Sequence, residues 1–563
     1  MKITKANLTT ALTLFALLAT ISVGVIGCGH PDMTPTPEGE RTVQIEVKPG
    51  GAEPLPMTLV PPTSIPSPTE TSQAEVPPVP PTPTATPESH LPPLVAIFAD
   101  AFTYSSVQEE IQQYKKDIEK DLSARVIIFA QDFGTPQEIR SKLLQLRGQG
   151  LIGAVLIGDL PTTYLKAKLN EPGLTTVPTD FYYMDLDNDF TTREDRFFEY
   201  FAEPISLLPE IWIGRLKPPV SGEEGISLLK RYFRRNHAYR TGEIKPLKKM
   251  LILDAIGVEE VPSTERDRYL EDVNRLVERT GLYELSEVTV VSNANAMPSF
   301  QDYLTKLKED FELVYLNLHG TPVTQQIGSL DISAEDIRQI KPKPYFYFIW
   351  SCSNGDFTEE NYMAGSYLFY GEGLVVLAST APVFGNIESG AASLFPLSLG
   401  ATFGEAYKYA NYLSSMTLLG DPTLRMREKP ELTPKLVLEQ KEIDFGEVPV
   451  VDTSSGELLT MPPNIGEVRI EVRNEGEVPL KISPVPSYGY YLRDGQAPEG
   501  MEVSPISFGF PDQVRPGTSE EITLTFLPSK PGNYIGFKAF YTSDPEHILV
   551  IIPFRGRGIT KAF

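Results

Sequence analysis

LVAIFADAFTYSSVQEEIQQYKKDIEKDLSARVIIFA (residues 94–130) carries two short apolar runs around a polar stretch. The stretch, SVQEEIQQYKKDIEKDL, has its apolar residues at helical spacing. A buried strand, an amphipathic helix and a second buried strand form the unit of a parallel sheet with helices on its faces. The unit repeats: TPQEIRSKLLQLRGQ (135–149) reads as a helix and LIGAVLIGD (151–159) as a strand. It resumes with strand-like EIWIGRL (210–216), helix-like GEEGISLLKRYFRRNHAYR (222–240), strand-like KKMLILDA (248–255) and helix-like STERDRYLEDVNRLVERT (263–280). FELVYLNLHG (311–320), YFYFIWSCS (345–353) and GLVVLAST (373–380) follow as further strands. The expected fold class is α/β. So many strands predict two consecutive α/β subdomains with mainly parallel sheets, over 94–245 and 246–428.

The flanks read differently. Residues 1–27 have Lys2 and Lys5 and then an apolar stretch, the form of a secretory signal. The segment ends in VIGC, which resembles a bacterial lipobox and implies cleavage before Cys28 with lipid on its sulfur; a membrane-spanning helix ending at Cys28 is the alternative. Residues 31–93 hold 18 of the 51 prolines, so 28–93 is expected to be a disordered tether. These features predict an extracytoplasmic, surface-exposed protein anchored by lipid to the cell membrane or outer membrane. From 429 to 563, period-two segments such as EVRIEVRNEGEVPLKI, joined by Gly, Pro and Asn turns, predict an immunoglobulin-like β-sandwich.

Composition excludes some partners. With 50 Lys and Arg against 74 Asp and Glu, the net charge of −24 argues against nucleic acid. The chain shows neither a Cys/His cluster for zinc nor a phosphate-binding glycine loop, and its chemistry is expected to need no cofactor. In MDLDNDF the carboxylates of Asp185, Asp187 and Asp189 alternate as oxygen ligands do in calcium loops, without the full loop pattern. Either a structural Ca2+ site or a solvated acidic turn fits.

Only two cysteines and five histidines are present. If Cys28 carries lipid, Cys352 has no disulfide partner. Cys352 ends one apolar strand and His319 another, in one α/β unit whose strand ends form the ligand-binding edge of an open sheet. Taken singly, a packed cysteine and a capping histidine explain either residue. Taken together, they provide a thiolate nucleophile and an imidazole that can protonate a leaving amine. Gly320, with no β-carbon, lets a backbone N–H approach a substrate oxyanion closely.

LVYLNLHG and FIWSCSNGDF, their His319 and Cys352 33 positions apart, resemble the two catalytic blocks of gingipain-type cysteine peptidases, family C25. VLIGDLPTTYL, PTDFYYMDLDNDF, EIWIGRLKPPVSGEE, GLVVLAST and LLGDPTLR resemble further blocks in the same order, over roughly 94–428. The resemblance implies a caspase-like fold and hydrolysis of peptide bonds. It implies His319 as catalytic imidazole, Cys352 as nucleophile, and an oxyanion hole from the N–H groups of Gly320 and Cys352. It also implies an acid near the histidine, for which Glu259 and Glu260 are candidates. Asp267 matches the pocket aspartate of arginine-specific members, and it also fits a first-turn helix carboxylate. A monomeric surface endopeptidase acting on proteins or peptides follows, with cleavage after Arg or Lys if Asp267 lies in the pocket. The competing reading is an inactive surface lipoprotein that uses the same scaffold and sandwich for adhesion.

Overall fold

Every residue of β1 (Leu94–Ala99) is buried, as expected of a strand covered on both faces. The structure, a computed structural model, describes residues 91–560 except 168–174, 188–189, 195–196, 200–208, 257–270, 272, 279, 293–298, 384–393, 410–414, 441, 451–465, 494–505 and 512. The signal segment, Cys28 and nearly all of the expected tether lie outside the described residues, as do Asp189, Glu259, Glu260 and Asp267.

The next strands are β2 (Arg125–Ala130), β3 (Leu151–Ile157), β4 (Thr163–Ala167), β5 (Thr175–Thr179), β6 (Thr191–Glu194), β7 (Phe197–Glu199) and β8 (Trp212–Leu216). Then come β9 (Met250–Asp254), β10 (Val288–Ser292), β11 (Leu313–Asn317), β12 (His319–Thr321), β13 (Thr324–Ile327) and β14 (Leu330–Ser333). The α/β part ends with β15 (Phe346–Trp350), β16 (Val375–Ser379) and β17 (Met416–Gly420). Ten of these strands form one sheet, in the order β10-β9-β11-β15-β16-β17-β8-β3-β1-β2. The pairs from β10 to β16 and from β8 to β2 are parallel, while β17 runs antiparallel to β16.

This refines the expected layout. The segments 94–245 and 246–428 share a continuous sheet, and they meet at β17 and β8 through the register pair Leu419↔Arg215. Alternate side chains feed two cores: Ala96, Phe98, Tyr315 and Phe348 on one face, Val95, Ile97, Val314 and Tyr347 on the other. The helix Gln108–Leu122 buries Ile111, Tyr114 and Ile118, the stripe that its sequence period predicts. A separate sheet, β5-β4-β7-β6, was not legible as strands in the sequence.

Two buried carboxylates anchor polar side chains in this core, and Asp421 joins the two segments. Asp421, from LLGDPTLR, accepts hydrogen bonds from Tyr114 (2.7 Å), Asn236 (2.7 Å) and Arg240 (2.5 Å). Burial alone would raise its pKa, but Arg240 and these donors hold it below the usual carboxylate value. Asp180, from PTDFYYM, pairs with Arg215 of β8 through Nε at 3.0 Å and Nη2 at 2.5 Å. The Arg215 guanidinium, fully buried, lies 4.3 Å from the ring centroid of Phe357, which follows the Cys352 turn.

The C-terminal region is all-β. It comprises β18 (Leu436–Leu438), β19 (Ile443–Pro449), β20 (Gly466–Asn474), β21 (Leu480–Arg493), β22 (Ile506–Gly509), β23 (Gln513–Val514), β24 (Ser519–Phe526), β25 (Gly532–Thr542) and β26 (Leu549–Ile559). Its main sheets are β18-β20-β24-β22 and β19-β26-β25-β21-β23, with Ile470, Leu524, Phe540 and Phe554 in the core. Tyr541 packs on Phe395 of the α/β part and donates to Tyr409 O.

Asp180→Asn leaves the Arg215 charge buried without a counter-charge. Chemical denaturation should show a loss of about 3–5 kcal/mol in unfolding free energy; a loss below about 1 kcal/mol would mean that Arg215 does not depend on Asp180 for its counter-charge.

Candidate active site

β11 and β15 run parallel in register from Leu313↔Phe346 to Asn317↔Trp350. Leu318 N donates to Trp350 O (3.3 Å), extending the pairing by one step. His319 and Cys352 therefore each follow the last registered pair by two residues, on neighbouring strands about 4.8 Å apart. The sheet brings the two to one edge. Beyond it each segment is also held by partners of its own.

The His319 segment enters an antiparallel hairpin in which His319 faces Gln326 and Gly320 faces Gln325 across β12 and β13. The Cys352 segment turns sharply at Ser353, whose φ of 55° lies in the left-handed region. Ser353 N donates to Ala381 O (3.0 Å) and Gly355 N to Ser379 O (2.7 Å), tying the turn to the end of β16. Cys352 is 6% exposed, forms no disulfide, and has its sulfur 4.0 Å from Val383 O. His319 is half-buried.

Gly320 lies flat against the cysteine turn. A β-carbon there would overlap Ser351 Oγ and lie 2.7 Å from Asn354 Nδ2 and 3.1 Å from Thr324 O. Only glycine fits without displacement. Ser351 is fully buried, and its hydroxyl has no hydrogen-bond partner.

β9 is the other neighbour of β11, and it ends in a buried polar pair. Asn317 Nδ2 donates to Asp254 Oδ1 (3.0 Å), which also accepts Ile256 N (3.0 Å). Sequence reading passed over Asp254, Asn317, Gln325 and Asn354. The available signal was a polar side chain ending LILDA and LVYLN, both otherwise apolar runs. The candidate acids Glu259 and Glu260 and the candidate pocket residue Asp267 lie outside the described residues.

The acidic motif sits elsewhere. Asp185, Asp187 and Glu210 bring carboxylate oxygens within 4.8 Å of one another, while Asp189 is outside the described residues. Glu210 was not among the expected ligands, since it lies 21 or more residues from the Asp-x-Asp pattern. Burial, then its contact with Asp187, pushes Glu210 up to about 7. Arg147 Nη2 lies 3.6 Å from Asp187 and 3.8 Å from Glu210, and Leu186 N donates to Glu210 Oε2 (2.6 Å).

The geometry accords with what the chain is similar to. The model of "Peptidase family C25" matches residues 94–427. No curated protein matches the chain. Among solved structures, the Arg-specific cysteine proteinase gingipain R aligns at 14% identity, covering 84% of this chain and 99% of that one, with a TM-score of 0.42. A structure described as a protease aligns at 12% identity over 83% of this chain and 98% of its own, with a TM-score of 0.44. Dimeric latent PorU from Porphyromonas gingivalis aligns at 11% identity over 84% of this chain and 43% of its own, with a TM-score of 0.26. The family match spans more than half of the sequence and contains both strand-end motifs, and the chain belongs to peptidase family C25, the cysteine peptidases of gingipain type.

Proposed function

We propose that the protein is an endopeptidase with a Cys352–His319 dyad. What supports the reading is the in-register pairing of β11 and β15, which carries both residues to one sheet edge. His319 takes the thiol proton, and the Cys352 sulfur attacks the scissile carbonyl carbon. The carbonyl oxygen becomes an oxyanion and accepts from the N–H groups of Gly320 and Cys352. As the C–N bond breaks, His319 gives its proton to the departing amine, leaving a thioester on Cys352. Water, deprotonated by His319, attacks that thioester. The new carboxylic acid leaves, and sulfur recovers a proton.

Cleavage after arginine or lysine belongs to the same proposal, with Asp267 as the pocket carboxylate. A desolvated carboxylate at a pocket base favours a cationic partner, and the planar guanidinium can bind it twice. We place the enzyme outside the cell, lipid-anchored through Cys28, with an immunoglobulin-like C-terminal sandwich.

A structural Ca2+ fits the acidic cluster, because Asp185, Asp187 and Glu210 converge and burial and Asp187 push Glu210 up to about 7, the cost of gathering carboxylates that a cation would offset. Asp185, Asp187 and Glu210 would hold the ion, which would supply positive charge for stability and take no part in hydrolysis.

Cys352→Ala should lower kcat/KM on peptide substrates by on the order of 10⁴-fold, and His319→Ala by ~10²–10⁴-fold, with melting temperatures close to wild type. Peptide hydrolysis surviving in Cys352→Ala would remove the nucleophile assignment. An intact fold with no turnover in wild type would favour the inactive scaffold.

Calcium is tested through pH. Without the ion, Glu210 holds its proton up to about 7 in the folded protein but only to its ordinary 4.5 when unfolded. Stability is therefore greatest below 4.5, falls as pH rises through that window, and stays lower above it. Melting curves in chelator should show that fall in wild type and not in Glu210→Gln. Millimolar Ca2+ should raise the wild-type melting temperature more at pH 8 than at pH 5. Equal or absent shifts at the two pH values would remove calcium from the cluster.

A further inference from the structure

Behind the His-Gly turn runs a buried chain of neutral polar side chains. Asn354, two residues after the thiol, donates from Nδ2 to Thr321 O (2.5 Å) and Thr324 O (3.0 Å), at the tip of the β12–β13 hairpin. Its Oδ1 accepts Gln325 Nε2 (2.7 Å). Gln325 Oε1 accepts the hydroxyls of Tyr303 (2.6 Å) and Tyr367 (2.7 Å). All four side chains are completely buried.

Their donor count fixes their orientation. Backbone carbonyls only accept, so Asn354 must turn its NH2 group toward them and its oxygen toward Gln325. Gln325 must then present NH2 to Asn354 and its own oxygen to the tyrosines. Flipping Asn354 would set its oxygen against two carbonyls and its NH2 against that of Gln325, and flipping Gln325 would set its oxygen against that of Asn354. The chain ends where it matters. Gln325 lies across the hairpin from Gly320, and Asn354 Nδ2 occupies the space a Gly320 side chain would need.

We infer that Gln325 and Asn354 are positioning residues that hold the Gly320 N–H and the Cys352 N–H at the spacing of one oxyanion hole. The inference rests on the peptidase reading above. The strands alone cannot set this spacing, because past the last registered pair, Asn317↔Trp350, the ladder adds only the Leu318 N to Trp350 O hydrogen bond before the two segments leave it. The amide chain is the bridge that rejoins them.

The test compares wild type, Gln325→Glu and Gln325→Leu in the full-length protein. Kinetic constants on a peptide ester are normalised to sites that iodoacetamide alkylates at Cys352. Alkylation needs the thiolate but no oxyanion hole, so its rate should stay within about twofold in all three. Gln325→Leu should lose roughly 10²-fold in kcat at every pH, with KM little changed. Gln325→Glu can still donate to Asn354 while protonated and cannot once ionised. The titratable groups facing it are Tyr303 and Tyr367, whose pKa values burial raises. Burial can raise a carboxyl by about 3–5 units, so the kcat deficit of Gln325→Glu should grow from small near pH 6 to roughly 10²-fold near pH 9. Wild-type kcat per alkylated site in both variants would overturn the inference, and so would kcat and alkylation falling together. A wild type that is alkylated at Cys352 but hydrolyses nothing would overturn the peptidase reading instead, and the inference with it.

Discussion

The parallel register of β11 and β15 is the constraint on which the site depends. Parallel strands have side chains at matching heights, so two residues at equal distances past one registered pair emerge at the same edge. Shifting one strand by a single residue would turn its side chains to the opposite face. The register is held from both sides, by β9 on β11 and β16 on β15, and by stacked Tyr315 and Phe348 rings 5.0 Å apart. A pair of residues at the sheet edge is thus placed by a core that never meets solvent.

Around that core, buried polar contacts do what hydrophobic packing cannot, because they specify orientation. The Asp180–Arg215 pair lies beneath Phe357 and ties the N-terminal half of the sheet to the turn that follows Cys352. Tyr362 donates to Lys217 O (2.5 Å) and Asn361 N to Pro219 O (2.8 Å), so the same turn is also anchored to the exit of β8. Asp421 collects donors from two helices. Each contact costs desolvation, and each is satisfied by several partners at once. The further family blocks PTDFYYM, EIWIGRL and LLGDPTLR supply Asp180, Arg215 and Asp421 to these structural ties.

The sequence was most readable where burial is two-sided. Strands such as FYFIW and VVLAS are almost wholly apolar because both faces are covered, and their ends were marked by the polar residues that follow. The continuity of the sheet was not readable, since β17 and β8 are almost 200 residues apart and meet through one register pair. Glu210 was missed for the same reason: its partners Asp185 and Asp187 reach it only through the fold. Gln325 and Asn354 look like ordinary loop polars in one dimension. Their burial is what gives them meaning. Of the other histidines, His237 pairs with Asp117 at 2.8 Å and His547 with Asp544 at 2.9 Å, well away from the thiol in the chain.

The account centres on a covalent intermediate at Cys352, and trapping it is the most direct measurement. Wild-type protein mixed with an excess of peptide ester and quenched in acid within the first turnovers should gain the mass of the acyl group. Peptide mapping should locate that mass on Cys352, and it should disappear on continued incubation as substrate is exhausted. Hydrolysis proceeding with no acyl mass on Cys352, or with that mass on another residue, would contradict the mechanism.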